Sequence, residues 1–381
     1  MSARNAEKNL PNPIMKKLHI LLIKISVLVS LAFLFAGCLE TRDPYKWDIR
    51  NPYESVNWTK HGHYKANLHT HTTISDGRLN PHEVVDKYHE LGYDILAITD
   101  HNIVSYPWTS FTAFEASDLS LYLMKEEPDE MPENLIFEDR DPITLNMTDI
   151  QGNELSMHHH TGSFFNDHDG TKTEEGSLDS IDTKNGLAIL FHPGRYNVID
   201  RNPKYSYVSL EWYVDLYHRY DHLVGQEVYN NGDRYPKDRI LWDSILMITM
   251  PSRPVWGYSN DDMHRLINLG HNWNVFILPE LTHKWVMQGL KMGLSYFVYS
   301  PIGHDGNPVI EKINVDRKSG TIEISARDYD SINWINGGIV KSRGEKINLN
   351  ELKENVPYIR AELYGKDRTV TGTQPFGIRK L

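Results

Sequence analysis

Two histidines one residue apart, His69 and His71 in "ANLHTHTTISDG", open the set of residues whose types and spacing could do chemistry. Alternate residues of an extended strand face one side, so both imidazoles can serve one metal ion or two neighbouring ions. Asp76, in the loop that follows, can reach back as a carboxylate ligand. With 19 His in 381 residues, such a pair arises by chance roughly once, so it gains weight only from its company. "AITDHN" ends an apolar run in Asp100-His101, and "IQGNELSMHHHTGSFF" supplies Glu154 after a glycine and then His158, His159 and His160. "AILFHPG" ends in His192, and "VWGYSNDDMH" brings Asp262 and His264. Each has an ordinary reading as a turn, a loop boundary or a solvated triplet. Delivered together by successive apolar runs at the same end of a sheet, they argue for a metal centre.

The elements that must position these residues alternate between short strands and helices. In "NPHEVVDKYHELGYDILAITDHN", Asn80 can cap, Pro81 suits the first helical position and Glu83 completes a capping box. Val84, Tyr88 and Leu91 share a face, Gly92 ends the helix, and Ile95 to Thr99 forms a short buried strand. This is a βαβ unit and predicts parallel pairing. Further strand-like runs lie in "GLAILFHPG", "HLVGQEVYN" and "RPVWGYSND", with helical "KDRILWDSILMI" between them. Repetition of the unit favours an α/β barrel or a doubly wound sheet. The span from Asn102 to Asp149 is acidic and irregular and reads as an insertion. After about Ser300 short alternating runs with turns at Lys-Ser-Gly, Asn-Gly-Gly and Gly-Lys-Asp predict a small antiparallel β domain.

In its order HTH, D, TDH, G-x-E, H, HPG and D-x-H, the chain resembles the PHP (polymerase and histidinol phosphatase) superfamily from about His63 to Ser300. The resemblance implies a distorted (β/α)7 barrel of PHP type, here followed by the small C-terminal antiparallel β domain. It also implies two or three divalent ions (Mn, Fe or Zn). Carried over by position, His69, His71, Glu154 and Asp262 would surround one ion. Glu154 would bridge to a second, held also by His192 and by His160, with His159 as the alternative and His158 a bystander. Asp76, His101 and His264 would hold the third. Asp76, a harder ligand than the histidine that some members carry there, favours manganese or iron over zinc.

The implied activity is hydrolysis of phosphate esters on small phosphorylated substrates by metal-bound hydroxide, with Asp262 or His264 passing a proton. The chain has no Gly-x-Ser-x-Gly elbow and no Gly-rich phosphate loop. Arg195, after His192-Pro-Gly, could grip a phosphate through its forked donors or simply pair on the surface. Glu227 and Asn230 in "GQEVYN" are expected beside the site, and Trp242 and Trp256 in the core. Two alternatives stand beside this reading. The same metals could hydrolyse amide, carbamate or carboxylic ester bonds, or the chain could be an inactive surface protein binding ligands through its β domain.

The N-terminus sets the expected location. Met15-Lys16-Lys17 opens a basic stretch, Leu18 to Phe35 is largely apolar, and Ala36-Gly37 precede Cys38, the one cysteine in the chain. The order is that of a secretory signal, and "LFAGC" resembles a bacterial lipobox, which implies cleavage before Cys38 and lipidation of its thiol. The expected organisation is a signal over 1–38, a tether over 39–60, the barrel over 61–303 and a β-sandwich-like domain over 304–381. Such a protein would be exported and anchored to the envelope membrane. A net charge of -11 disfavours a nucleic-acid partner bound through bulk charge.

Overall fold

Strand formation begins earlier than the sequence suggests. The expected tether contains β1 (Trp47–Arg50), which buries Trp47 and Ile49 and exposes Arg50. It pairs antiparallel with the chain's last strand, Trp47 opposite Lys380. The apolar alternation of these residues, set among charged neighbours, is what draws the segment into the fold. The computed structural model describes residues 46–113, 137–196, 208–303 and 306–381; the expected signal over 1–38, with Cys38, lies outside the described residues.

The next elements are β2 (Gly62–Asn67), α1 (Pro81–Glu90), β3 (Ile95–Ala97), the short α2 (Pro142–Leu145) and β4 (Thr148–Ile150). Helix α1 forms as its signature predicts: the Glu83 carboxylate accepts the Asn80 amide at 2.7 Å, and Gly92 follows the helix with a φ of 71°. Its buried face, Val84, Val85 and Tyr88, contributes about 1.5–3 kcal/mol per large apolar side chain. Strands β2, β3 and β4 are parallel. Part of the expected insertion is therefore core, with Trp108 and Phe111 buried and β4 at its end.

A second group comprises β5 (Gly152–Leu155), β6 (Thr161–Phe164), α3 (Glu174–Thr183), β7 (Leu187–Leu190), α4 (Leu210–Arg219), β8 (Leu223–Asn230), α5 (Lys237–Thr249) and β9 (Trp256–Asn260). These five strands form one sheet in sequence order. Its β7, β8 and β9 are parallel, while β6 runs antiparallel to both neighbours.

The chain ends with β10 (Asn272–Leu278), α6 (His283–Met292), β11 (Ser295–Tyr299), β12 (Val309–Asp316), β13 (Thr321–Arg327), β14 (Ser331–Asn336), β15 (Ile339–Arg343), β16 (Lys346–Asn348), β17 (Tyr358–Tyr364), β18 (Val370–Gly372) and β19 (Phe376–Lys380). Between β14 and β15, Gly337 and Gly338 take φ of 56° and 73°, the left-handed pair that a tight hairpin turn requires.

Two expectations need correction. A closed barrel is not formed among the described residues: β2–β3–β4 belong to an 11-stranded sheet and β5–β9 to a separate 5-stranded one. The two meet through isolated parallel bridges, Thr70 with Met263 and His101 with Glu154. Elsewhere the seam is closed by asparagine side chains. Asn260 Oδ1 accepts the Leu68 amide at 3.1 Å, Asn67 Oδ1 accepts the Asp261 amide at 2.9 Å, and Asn274 Oδ1 accepts the Ser259 amide at 3.0 Å. Buried strand edges need partners for their amides, and these amide side chains supply them without a ladder.

The C-terminal strands, in turn, are not a detached sandwich. β18 pairs with β11, and β17 and β19 carry the same sheet on to β1. Only β12, β13 and β16 form a sheet of their own. Ile310, Trp334 and Ile359 pack in one apolar cluster with Val84, Leu96 and Val298, so residues 46–381 make a single compact unit. The result is a mixed α/β protein with many strands and few helices.

Candidate metal centre

The bridges that join the two sheets lie where the chemistry-bearing residues converge. Leaving β2, the chain carries His69 and His71 past Met263, and the His71 amide donates to the Met263 carbonyl at 2.9 Å. The loop that follows is tied to Asp100, which accepts the Thr72 amide and hydroxyl at 2.7 Å each, the Ser75 hydroxyl at 2.7 Å and the Ser105 hydroxyl at 2.6 Å. Gly77 lets this loop close: a Cβ there would lie 2.5 Å from the His71 carbonyl oxygen. Asp76 is thereby turned toward His71, His101 and His264.

Four donor atoms meet at the centre. His69 Nε2 lies 3.1 Å from His71 Nε2, 3.3 Å from Glu154 Oε2 and 3.3 Å from Asp262 Oδ1. His71 Nε2 lies 3.2 Å from Glu154 Oε2 and 3.3 Å from Asp262 Oδ1. His69, His71 and Glu154 offer ligand atoms that all lie within 4.8 Å of one another, as do His69, His192 and Asp262, and imidazoles with carboxylates are the donors that divalent transition ions accept. The donor set fits a small divalent ion.

Glu154 is shared. Its Oε2 also lies 3.1 Å from His101 Nδ1, while Oε1 turns away to His160 Nδ1 at 2.6 Å and His192 Nε2 at 3.4 Å. A third set forms around Asp76, whose Oδ2 lies 3.2 Å from His264 Nε2 and 3.5 Å from His101 Nε2, and whose Oδ1 lies 3.6 Å from His71 Nδ1. Thus His69, His71, Asp76, His101, Glu154, His160, His192, Asp262 and His264 are brought together. Among the triplet it is His160 that faces Glu154. The His159 ring is turned into Tyr196 and Trp212, with centroids 4.6 and 4.7 Å away, and His158 Nδ1 meets Glu174 at 2.7 Å.

Partners on the far side of the rings set the tautomers. Nδ1 of His69 lies 2.9 Å from Glu227 Oε1, so Nδ1 carries a hydrogen and the lone pair left when the ring loses its other proton is the one on Nε2, as in a metal-bound histidine backed by a carboxylate. His264 Nδ1 lies 2.9 Å from the Asp262 carbonyl oxygen, and its Nε2 lies 3.2 Å from the Asp76 carboxylate. The Nδ1 atoms of His101 and His192 are buried without a hydrogen bond.

Burial and charge oppose one another here. Burial alone would lower the pKa of His69, yet Asp262, Glu154 and Glu227 outweigh it and raise it to about 10. His71 is likewise raised against its burial, by Asp262, Glu154 and Asp76. His192 is pushed down to about 3 by burial, and burial also lowers His160, with the charge of Arg195 adding to the effect. Glu154 is held well below the carboxylate range, against burial, by His160, His69 and His101. Such a site attracts cations. Two of its backbones are strained: His192 and Asp262 have φ of 30° and 45°, which cost about 1–3 kcal/mol each and aim both side chains inward from strand ends.

Several contributors were not foreseen as such. Asp100 organises the histidine loop, although it stands in plain view beside His101. Glu227, by contrast, stands beside the site as expected. It receives the His192 amide and the Asn230 side chain on Oε2 at 2.8 Å each, and Asn260 on Oε1 at 2.9 Å. Phe191 stacks on His69 with a centroid separation of 3.8 Å. The available signal was polarity out of place: Glu227 and Asn230 interrupt a strand whose every residue is buried, and such groups need partners. Trp242 and Trp256 are core residues. Arg195 follows His192 in a short 3-10 turn, with its guanidinium 5.6 Å from the Tyr196 ring centroid.

No family model matches the chain, and no curated protein matches it. Solved structures do resemble it. One is a two-domain protein from Bacteroides vulgatus containing a predicted PHP-like metal-dependent phosphoesterase, at 15% identity and a TM-score of 0.47, covering 84% of this chain and 96% of that one. Another is an amidohydrolase from Chromobacterium violaceum solved with bound sulfate and no metal, at 14% identity and a TM-score of 0.36, covering 59% of this chain and 95% of that one. A third is the lesion-specific endonuclease PfuEndoQ from Pyrococcus furiosus, at 13% identity and a TM-score of 0.36, covering 60% of this chain and 56% of that one.

Proposed function

We propose that the chain is a metal-dependent hydrolase of the PHP type that cleaves phosphate esters of small molecules. The observation that carries this is Glu154. One carboxylate oxygen lies 3.3 and 3.2 Å from the Nε2 atoms of His69 and His71, while the other faces His160 and His192. A carboxylate so divided suits two neighbouring cations better than any structural role, because a buried structural carboxylate is normally closed by amides or a guanidinium.

Divalent ions held there would lower the pKa of water and neutralise charge developing on phosphoryl oxygens. The chain's own residues supply the rest. His264 and Asp76, with side chains 29% and 34% exposed against 1% for Glu154, mark the open side of the site, where substrate would enter. His264 and Asp262 are the groups proposed to pass a proton to the leaving oxygen. Glu227 fixes the His69 ring and the His192 backbone, so neither reorients during turnover. Arg195, electrostatically coupled to His160, is proposed to grip the phosphate, and this cation favours phosphate over an uncharged amide or ester.

Export and lipid anchoring through Cys38 belong to the same proposal: palmitate incorporation should be lost in Cys38→Ala. The central test is metal analysis of the full chain beside turnover of an aryl phosphate, a phosphodiester and a carboxylic ester, with the His69→Ala/His71→Ala double variant as control. Two or three metal equivalents with phosphatase activity that the variant lacks support the reading. Turnover of the carboxylic ester alone would move it to the other hydrolytic class, and a protein that takes up no metal would end it.

A further inference from the structure

A second cluster of metal-ligating side chains lies outside the set just described. His158, His159 and Glu174 each offer a ligand atom within 4.8 Å of the other two. None of them serves the main centre, so this inference goes beyond the proposed function. We propose that these residues form a separate site for a divalent transition ion with the ligand preferences of zinc.

The first argument is the electron pairs. The His159 amide donates to His158 Nδ1 at 2.8 Å, so that nitrogen is unprotonated and acts as an acceptor. Yet Glu174 Oε2 lies only 2.7 Å from the same nitrogen and has no hydrogen bond of its own. Two electron-pair donors thus face each other with no hydrogen between them, and a cation that takes the Nδ1 lone pair in place of the amide relieves that contact. Burial is the second argument. Glu174 is 3% exposed and His159 is 7% exposed, and the Nε2 atoms of both His158 and His159 are buried without partners. Buried polar atoms seldom go unsatisfied unless something else satisfies them.

Preorganisation is the third. Glu174 Oε1 is fixed by the Thr161 hydroxyl at 2.6 Å, which leaves Oε2 as the free ligand oxygen. The His159 ring is wedged between Tyr196 and Trp212. Two imidazoles and one carboxylate form a three-residue set that zinc accepts with a further position open.

The test uses the full chain, stripped with a chelator and titrated with cobalt(II) and zinc(II), with bound equivalents counted by elemental analysis and cobalt coordination followed by absorption. Glu174→Gln keeps an oxygen to accept from Thr161 but loses the anionic ligand; it should bind one equivalent less than wild type, with its remaining uptake unchanged. His159→Gln should lose the same equivalent, which guards against a folding defect peculiar to either variant. In the His69→Ala/His71→Ala background the Glu174-dependent equivalent should persist, whether or not the main centre binds metal. Equal stoichiometry in wild type and both single variants would overturn the proposal and leave His158 and Glu174 as an ordinary ion pair.

Discussion

Two regions of this protein bury charge, and they do so in opposite ways. In the C-terminal part of the large sheet, Arg360 is 2% exposed. Its guanidinium holds Asp243 through Nε and Nη2 at 2.9 and 2.8 Å, and Glu362 through Nη1 at 2.6 Å. Tyr358 and Tyr364 donate their hydroxyls to the same two carboxylates, at 2.6 and 2.5 Å. That network is complete. At the junction of the two sheets, Glu154, Asp262 and Asp76 instead face imidazoles alone, and ring nitrogens of His101 and His192 have no hydrogen-bond partner. The same chemistry of buried carboxylates yields a structural clamp where a guanidinium and phenols close it, and a cation-seeking cavity where they do not.

The contrast can be broken by substitution. Glu154→Gln removes the shared carboxylate; metal uptake at the main centre and hydrolytic activity should fall to background, and the chelator response of the unfolding midpoint should shrink to what the Glu174 site contributes. Retention of the full wild-type chelator response would show that Glu154 is not the bridge. Arg360→Met leaves Asp243 and Glu362 buried without their cation and should cost about 3–5 kcal/mol in denaturant unfolding, while the chelator-dependent shift survives. A loss below about 1 kcal/mol, the range of exposed ion pairs, would mean that the clamp is not the closed network described. Glu227→Gln separates the two regimes more finely, because Glu227 backs His69 without touching the ion. Metal affinity measured by competition should drop about 10- to 100-fold; an unchanged affinity would reduce Glu227 to a packing residue.

How far the sequence revealed this depends on which physical signal carried each feature. Helix α1 was legible from Asn80, Pro81, Glu83 and Gly92, because capping is local. The convergence of histidines and acids was legible because apolar runs ending in polar residues mark strand ends, and the structure brings those ends together. Closure was not legible. Whether β2 pairs with β9 through a ladder or through Asn67 and Asn260 is decided by contacts almost 200 positions apart, about which periodicity says nothing. The attachment of β1 to β19 is hidden for the same reason, and so is the merging of the C-terminal strands with the main sheet. The His158–His159–His160 run shows the limit most sharply. Composition could not tell which ring faces Glu154, because that depends on how Glu174, Tyr196 and Trp212 hold the other two.

The smallest expected effect is a dependence on pH, and it follows from the unclosed charge. In the metal-free protein His69 titrates at about 10 because Asp262, Glu154 and Glu227 overcome its burial. A histidine raised in the folded state stabilises it fully below its unfolded value of 6.5, and that contribution is lost as pH rises through about 10. Metal-free protein should therefore unfold more easily at pH 10 than at pH 7, while metal-loaded protein, with its carboxylates already neutralised, should not. The held-down acids Glu154 and Asp262 act in the other direction, their contribution being present above the usual carboxylate range and lost on acidification. Metal binding must displace the His69 proton, so between about pH 6.5 and 10 the apparent affinity should rise up to tenfold per unit for each proton released. Competition against a chelator of known affinity at three pH values measures the slope directly. A flat profile would mean that His69 is already unprotonated at neutral pH, and then the carboxylates around it would be closed by something other than a proton or a metal, which is the condition of Arg360 and not of this site.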